Sequence, residues 1–236
     1  MENADKEGCL PKIPKKEWPV DGGRCGGNVG GIGPHIWHLP MRLCSYVVKT
    51  DTGLAPNPFW GYCTLALCTP NHMGVKLDSG DWIMGTTPKH RGQRLLYAMQ
   101  VDERLRFDAY FDDPRFHKKR PNPSGTWRQR CGDNQYFLDK HDKWCRIPSV
   151  FHNTEADLVK DTKRPYAFIS RTFYYWGENA IPMPEGFKSL IHSRQGCSCK
   201  HDEGLVRDFV KWLAENFQPG IHGQPADREA VPCSGP

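Results

Sequence analysis

The chain has 236 residues, a formal net charge of +5 and a sequence pI of about 8.6. Hydrophobic residues make up 38% and charged residues 25%, which is typical of a globular protein and argues against a disordered chain. No apolar run approaches the roughly 20 residues of a membrane helix. The N-terminus has no apolar core after its charges, so it does not resemble a signal peptide, and we expect a cytoplasmic protein.

The ten cysteines would suggest disulfides in a small secreted chain, but this chain is large and lacks a signal, so reduced thiols are expected. Three of them lie in apolar runs and are predicted to be buried thiols: Cys44, Cys63 and Cys68. The sequence "CSCKH" groups Cys197, Cys199 and His201. This spacing is tighter than that of structural zinc sites. We therefore expect no cofactor and an exposed loop here, with zinc at these three residues as the alternative.

The predicted elements begin after residue 40, because residues 1–40 are rich in Gly, Pro and Lys and are expected to be an irregular extension. Four strands are predicted in "RLCSYVVKT", residues 62–68, "GDWIMGT" and "RLLYAMQVDERL", and a Pro-rich loop at 51–58. A short helix at 107–111 should end before Pro114.

Residues 115–165 are dense in turn residues and are expected to be mostly loop, with short strands near "NQYFLD" and "DKWCR". A further strand, "YAFISRTFYYWG", precedes the clearest helix, "GLVRDFVKWLAENF". One apolar stripe follows this helix: Leu205, Phe209, Trp212, Leu213 and Phe217. Together these elements predict one α+β domain at 41–226, with a small, partly closed mixed β-barrel, peripheral helices and long loops, and a tail at 227–236.

No nucleotide-binding or hydrolase fingerprint is present, since G-x-x-x-x-G-K-[ST], H-E-x-x-H and G-x-S-x-G are all absent. Several aromatic and amide side chains could instead form a wall on which a base stacks. These candidate base-binding residues are Asn57, Phe59, Trp60, Tyr62, Trp82 and Tyr136. Core packing beneath a turn is the alternative for the aromatic residues.

The loop "TTPKHRGQR" and the acid-free run "RFHKKRPNPSGTWRQR" concentrate positive charge and suit phosphate groups. The candidate phosphate-binding residues are Thr86, Lys89, His90, Arg91, Arg94, Arg115, Lys118 and Lys119. A solvated hairpin tip or surface face is the alternative.

Candidate acid–base groups lie in the second half of the chain. Asp133, His152 and Asp161 could transfer protons, and Asn134 could orient a base. The alternatives are a turn at "CGDN" and a surface or core histidine.

Seven pieces of the chain, in order, carry a family resemblance: "CSYVVKTDTGLAPNPFWGYCTLALCTP", "GDWIMGT", "RLLYAMQVDERLRFDAYFDDPRF", "KKRP", "QRCGDNQYF", "DTKRPYAFISRTFYYWGENA" and "GIHGQP". The chain resembles the second family of nucleotide modification associated domains. The resemblance implies a place in prokaryotic or phage systems that modify DNA bases. "GDWIMG" and the run after it also resemble, more weakly, the PUA-like and EVE-like barrels, which include readers of modified bases.

Three functions remain open. The first is a protein that acts on a nucleotide or a DNA base held in a basic, aromatic-lined pocket. The second is a reader of a flipped, modified base, which needs aromatic residues but no titrating group. The third is an accessory protein that binds a partner. The expected partner is a nucleotide or nucleic acid, DNA more than RNA, and a close Asp–His pair beside the basic loop would favour chemistry.

Overall fold

The computed structural model describes residues 41–67 and 74–231. The strands in these residues are β1 (Leu43–Val47), β2 (Cys63–Leu65), β3 (Trp82–Thr86), β4 (Leu95–Gln100), β5 (Glu103–Arg106), β6 (Tyr136–Leu138), β7 (Trp144–Arg146), β8 (Tyr166–Ser170), β9 (Phe173–Tyr175), β10 (Cys197–Ser198) and β11 (Gly220–Ile221). The α-helices are α1 (Phe107–Asp112), α2 (Trp127–Arg130), α3 (Glu155–Asp161) and α4 (Glu203–Asn216). Every predicted strand region contains a strand, but two of these regions are divided: "RLLYAMQVDERL" forms β4 and β5, and "YAFISRTFYYWG" forms β8 and β9. The two-residue strands β10 and β11 were not predicted.

The strands form three sheets. The largest is mixed, in the order β10-β1-β3-β4-β9-β11, with β1 parallel to β3 and β9 parallel to β11. The second is antiparallel, in the order β2-β8-β5, and the third is the β6-β7 pair. The α+β class is therefore confirmed.

The partly closed barrel is not confirmed. The six-stranded sheet ends at the two-residue strands β10 and β11, which do not pair with each other in the described residues. Strands β2, β5 and β8, expected in the same barrel, pair among themselves instead. The sheets remain open and meet through their faces.

The two larger sheets and the helices stack in layers. One face of the six-stranded sheet, through Met84 and Ala98, packs against Phe209 and Leu213 of α4. Its other face, through Ile83 and Tyr97, packs on β2 and β8. The far side of the β2-β8-β5 sheet is covered by α1, α3 and the β6-β7 pair, around Phe107, Tyr110 and Leu158. Strand alternation explains this arrangement, because successive side chains point to opposite faces of a sheet.

Helix α4 follows its predicted pattern. Asp202 caps it by accepting a hydrogen bond from the backbone N–H of Leu205. Phe209 and Leu213 of the predicted stripe are buried, and Val206 is buried with them. The other predicted residues, Leu205, Trp212 and Phe217, are partly buried against the same core.

The stretch 115–165, expected to be mostly loop, contains more helix than predicted. The chain continues from α1 into a 3₁₀ helix at Pro114–Lys119, in which Pro114 starts the new helix instead of only ending the old one. Helices α2 and α3 begin with capping boxes at Thr126 and Thr154. This T-x-x-Q or T-x-x-D spacing was the local signal that the sequence interpretation overlooked.

The predicted N-terminal extension and Cys68 lie outside the described residues. The predicted boundary at residue 226 falls inside a bonded segment, because Asp227 exchanges hydrogen bonds with Asp51 and Val231 is buried. None of the helices in the described residues is long and apolar enough to cross a membrane.

Candidate functional site

A short hairpin, residues 57–64, carries three of the predicted base-binding aromatic residues. Asn57 and Thr64 close it with two backbone hydrogen bonds of 2.9 Å. Phe59, Trp60, Gly61 and Tyr62 lie between them. Phe59 is buried, Trp60 and Tyr62 are half-buried and Gly61 is exposed. We call this segment the Trp60 hairpin.

The ammonium of Lys119 anchors the Trp60 hairpin from inside. Its Nζ donates to the Asn57 carbonyl at 3.0 Å, to Asn57 Oδ1 at 2.8 Å and to the Tyr62 carbonyl at 2.9 Å. All three donors are used, and Lys119 is completely buried. The predicted contact of Lys119 with phosphate is therefore corrected, because the ammonium does not reach the surface.

The segment "RCGDN" packs along the backbone that carries Lys119. A side chain at Gly132 would come within 2.5 Å of the Lys119 carbonyl, so this close approach requires glycine. The Asn134 N–H donates to that same carbonyl at 3.1 Å. The Cys131 carbonyl accepts from Asn57 Nδ2 at 2.8 Å, which joins the segment to the hairpin.

Asp133 is the buried countercharge of Lys119. Its carboxylate accepts hydrogen bonds from Thr64 Oγ1 at 2.7 Å and from the Tyr110 hydroxyl at 2.8 Å. Burial raises the pKa of Asp133, and the charge of Lys119 partly opposes this. Burial lowers the pKa of Lys119 to about 8, against the attraction of Asp133. Keeping these two groups charged inside the protein costs free energy of desolvation, which their hydrogen bonds and their mutual attraction offset.

The positions of Asp133 and Asn134 do not fit the catalytic roles predicted for them. Asp133 is 1% exposed and both of its oxygens already accept hydrogen bonds. Asn134 is equally buried and donates to the Tyr110 and Phe116 carbonyls. Asp133 instead holds Thr64 at the end of the Trp60 hairpin, and the Asn134 side chain holds the backbone of α1 and of the following 3₁₀ helix.

The outer side of the hairpin is aromatic and basic. Trp60 has φ 59°, a left-handed conformation that is rare for a bulky residue. Phe59 contacts Trp60 and Trp127 edge to face, with ring centroids 5.6 Å and 5.5 Å apart. The exposed Arg128 guanidinium lies 5.5 Å from the Phe59 ring centroid. We call Phe59, Trp60, Trp127 and Arg128 the Trp60 surface.

Two predicted base-binding residues lie elsewhere. Trp82 is 3% exposed and stacks on Tyr174 in the core between the six-stranded sheet and α4. This is the sheet face opposite to the one that packs on β2. Tyr136 is also buried, stacks on Phe107 and donates its hydroxyl hydrogen to Asp161. Both aromatic rings are core residues, so the base-binding prediction is corrected for them.

The predicted phosphate-binding residues divide by exposure and pairing. Arg91 forms two hydrogen bonds, 3.1 Å and 3.0 Å long, with Asp227, and Arg115 is paired with Glu103 and Asp113. Arg94 donates to the Ala180 carbonyl and Thr86 is buried. The remaining three are exposed: Lys89, His90 and Lys118. For these three, phosphate binding stays a prediction.

His152 and Asp161, predicted as acid–base groups, are in direct contact. His152 Nδ1 lies 2.7 Å from Asp161 Oδ2, and that oxygen also accepts from the Tyr136 hydroxyl at 2.7 Å. Asp161 is completely buried, while the His152 side chain is 15% exposed. His152 has φ 50°, held by a hydrogen bond from Gln135 Nε2 to its carbonyl. A buried carboxylate on one ring nitrogen orients an imidazole for proton transfer.

Cys197 and Cys199 of the predicted Cys197–Cys199–His201 group lie beside Cys44 instead of His201. The two thiols lie with Cys44, and the three sulfurs are all within 4.8 Å of one another. His201 Nε2 is instead 2.9 Å from Ser45 Oγ. Because Ser45 follows Cys44 in strand β1, its side chain points to the other face of the sheet.

The cysteines were expected to be reduced thiols. Cys44 and Cys63 are buried free thiols, as predicted, and Cys131 is a third. Cys145 is disulfide-bonded, so the expectation of reduced thiols is wrong for this residue.

The sequence interpretation missed several residues that the fold brings to these places. The capping box at Thr126 places Trp127 and Arg128 in the first turn of α2, beside the hairpin. A basic cavity of about 220 Å³ also went unpredicted; it is lined by Lys76, Arg104, Arg164, Tyr166 and Phe168, among others. These residues are far apart in sequence and share no motif; Arg104 and Phe168 meet because β5 pairs with β8, and Lys76 and Arg164 come from outside both strands.

Replacing Lys119 with methionine should lower the free energy of unfolding by about 3–5 kcal/mol, because three acceptors lose their donor and Asp133 loses its countercharge. Urea unfolding followed by far-ultraviolet circular dichroism measures this. Lys118→Met is the matched control, since Lys118 is the exposed neighbour, and should change stability by no more than about 0.5 kcal/mol. Equal effects of the two variants would contradict the anchoring role.

The same lysine should make stability depend on pH. Between the folded pKa of about 8 and the ordinary value of 10.5, the unfolded chain binds a proton at Lys119 that the folded chain does not. Raising the pH through this window should therefore stabilise the wild type relative to Lys119→Met, by up to about 1.4 kcal/mol per pH unit. Unfolding curves of both proteins at several pH values measure the difference, and a constant difference would refute the assignment.

Comparison with known proteins gives one match. The family model described as Nucleotide modification associated domain 2 matches residues 41–231. No curated protein and no solved structure matches the chain significantly. The match covers most of the chain, and the chain therefore belongs to this family.

Proposed function

We propose that this chain, as a member of the Nucleotide modification associated domain 2 family, serves a base-modification system by holding a nucleotide or a DNA base against the Trp60 surface. The observation that carries the proposal is the backbone of Trp60, with φ 59° on a hairpin anchored by a buried lysine. The ligand class is a purine or pyrimidine with at least one phosphate.

The conformation of Trp60 supports a binding role. A non-glycine residue in this region costs on the order of 1–3 kcal/mol and persists only where the surroundings hold it. Here Lys119 and Asn57 hold the backbone on both sides of the tryptophan. Such strained residues concentrate at ligand sites, because a side chain fixed in advance loses little entropy when it binds.

The chemistry of the surface suits a base with a phosphate. A half-buried indole offers a π-face, and stacking of one base on an aromatic side chain contributes about 1–3 kcal/mol. Arg128 is exposed, and within the described residues it contacts the Phe59 and Trp127 rings and Gln224 but forms no ion pair. A guanidinium without a carboxylate partner can pair with phosphate or stack on a base.

We expect the protein to bind a short fluorescein-labelled single-stranded DNA, and we expect the four deoxynucleoside monophosphates to compete with this binding. Trp60→Ala should weaken binding roughly 5- to 150-fold, as expected for the loss of one stacked base, whereas Trp60→Phe should retain most of the affinity. Arg128→Ala should weaken binding and reduce its dependence on salt. Fluorescence anisotropy at two salt concentrations measures both effects.

The control for this experiment is Arg104→Ala, which removes a positive charge from the separate 220 Å³ cavity and should leave binding unchanged. If Arg104→Ala abolishes binding and Trp60→Ala does not, the ligand site is that cavity and the proposal is wrong. Absence of binding by the wild type to all of these probes would also contradict it.

A second candidate function, catalysis on the bound base, is favoured by the His152–Asp161 contact. The buried Asp161 carboxylate, which also accepts a hydrogen bond from the Tyr136 hydroxyl, orients the imidazole as a general base requires. From the sequence, a close Asp–His pair beside the basic loop was the arrangement expected to favour chemistry, and the contact of His152 with Asp161 supplies a close Asp–His pair. Binding of a base without catalysis and catalysis on the bound base therefore predict different experimental results.

If the chain is an enzyme, nucleosides from DNA or a nucleotide pool incubated with it should change in mass. The change should fall at least 100-fold in His152→Asn, which removes the proton acceptor. His117→Asn, at an exposed histidine of the 3₁₀ helix, is the matched control. Mass spectrometry of the nucleosides identifies any product, and no mass change with intact binding would leave the chain a reader of bases.

A further inference from the structure

We propose that Cys44, Cys197 and Cys199 form a binding site for one zinc-like divalent metal ion at the edge of the six-stranded sheet. The three sulfur atoms lie within 4.8 Å of one another. The site is separate from both the Trp60 surface and the His152–Asp161 pair, and nothing in the proposed function depends on it.

Strand register brings the thiols together from two distant parts of the sequence. β10 pairs antiparallel with β1, with Ser45 opposite Ser198 and Tyr46 opposite Cys197. Continuing this register places Cys44 opposite Cys199. Residues opposite each other share a sheet face, as do residues two apart, so Cys44, Cys197 and Cys199 all lie on the same face.

The spacing of the sulfurs suits metal coordination. Zinc–sulfur bonds of about 2.3 Å in a tetrahedral site place two sulfurs about 3.8 Å apart. The present separations therefore need to shrink by at most about 1 Å. A disulfide would use only two of the three thiols, and would not account for the third at the same place.

The surroundings allow an ion to enter. Cys44 is buried, whereas Cys197 and Cys199 are half-buried. Three protein ligands leave one coordination position for water, as in zinc sites that are not closed by four side chains.

A bound ion would stabilise a weak part of the sheet. β10 has only two residues and forms an edge of the sheet, so few backbone hydrogen bonds hold it to β1. Coordination by one ligand from β1 and two from the β10 segment would join them directly. We therefore expect the ion to raise the melting temperature of the whole chain, because it binds the folded state and not the unfolded one.

The test is a titration of the reduced, full-length protein with Co²⁺ in the absence of oxygen. Tetrahedral thiolate coordination gives a sulfur-to-cobalt charge-transfer band in the ultraviolet, and we expect it to saturate at one equivalent. Zn²⁺ should displace Co²⁺ and abolish the band. Cys44→Ser, Cys197→Ser and Cys199→Ser should each lose most of the band intensity.

Cys131→Ser is the matched control, because Cys131 is a buried free thiol outside the cluster. The Cys131 thiol donates to the Thr52 carbonyl, with Sγ 3.2 Å from the oxygen, and a serine hydroxyl can donate to the same carbonyl. This variant should bind Co²⁺ like the wild type. A band that survives in all three cluster variants would place the metal elsewhere and overturn the proposal.

A second measurement needs no variant and guards against misfolding of the substituted proteins. The wild type is labelled with N-ethylmaleimide, and the modified cysteines are mapped by mass spectrometry. Zn²⁺ should protect Cys197 and Cys199, and a chelator should restore their labelling. The proposal is wrong if Zn²⁺ does not protect these two thiols. It is also wrong if two of the three cysteines form a disulfide in protein prepared without reductant and added metal does not change that disulfide.

Discussion

The buried ammonium of Lys119 is the interaction on which the candidate site depends. Charge without hydration is costly, so its three hydrogen bonds to the Trp60 hairpin and the nearby Asp133 carboxylate must be present together. Asp133 in turn needs Thr64 and Tyr110, which come from β2 and α1. One desolvated charge thereby fixes the relative position of a hairpin, a strand and a helix.

The layered fold keeps the chemically distinct groups apart. The Trp60 hairpin leads into β2, in the middle layer, while Trp82 faces α4 on the other side of the six-stranded sheet. The His152–Asp161 pair belongs to the outer layer around α3, and the three thiols lie at the β1–β10 edge. Substitutions can therefore test the three proposed roles, base recognition, proton transfer and metal binding, one at a time.

Much of the fold followed from local sequence signals. Alternating and β-branched runs located the strands, and the apolar stripe of α4 predicted the burial of Phe209 and Leu213. Strand pairing was not predictable in the same way, so a barrel was expected where open sheets occur. The register that brings Cys44 to Cys199 spans over 150 residues, and no local pattern encodes it.

The candidate site shows the same limit. The aromatic residues of the Trp60 hairpin were found, because aromatic side chains beside prolines are a local signal. The roles of Asp133 and Lys119 were misread, since an acid or a base in a sequence gives no indication of its burial. "CGDN" looked like a reactive turn, whereas Gly132 and Asn134 serve close backbone packing.

The anchoring of the Trp60 hairpin has a consequence for how ligand preference could diverge within the family. Two of the three acceptors of Lys119 are main-chain carbonyls, and the third is the Asn57 side chain at the base of the hairpin. The side chains at the tip take no part in these bonds. Phe59 is buried and Gly61 has φ 84°, so position 60 is the place in the tip where a side chain can be exchanged while the lysine holds the same backbone path. Under the proposed function, divergence of ligand preference would therefore concentrate at that one position.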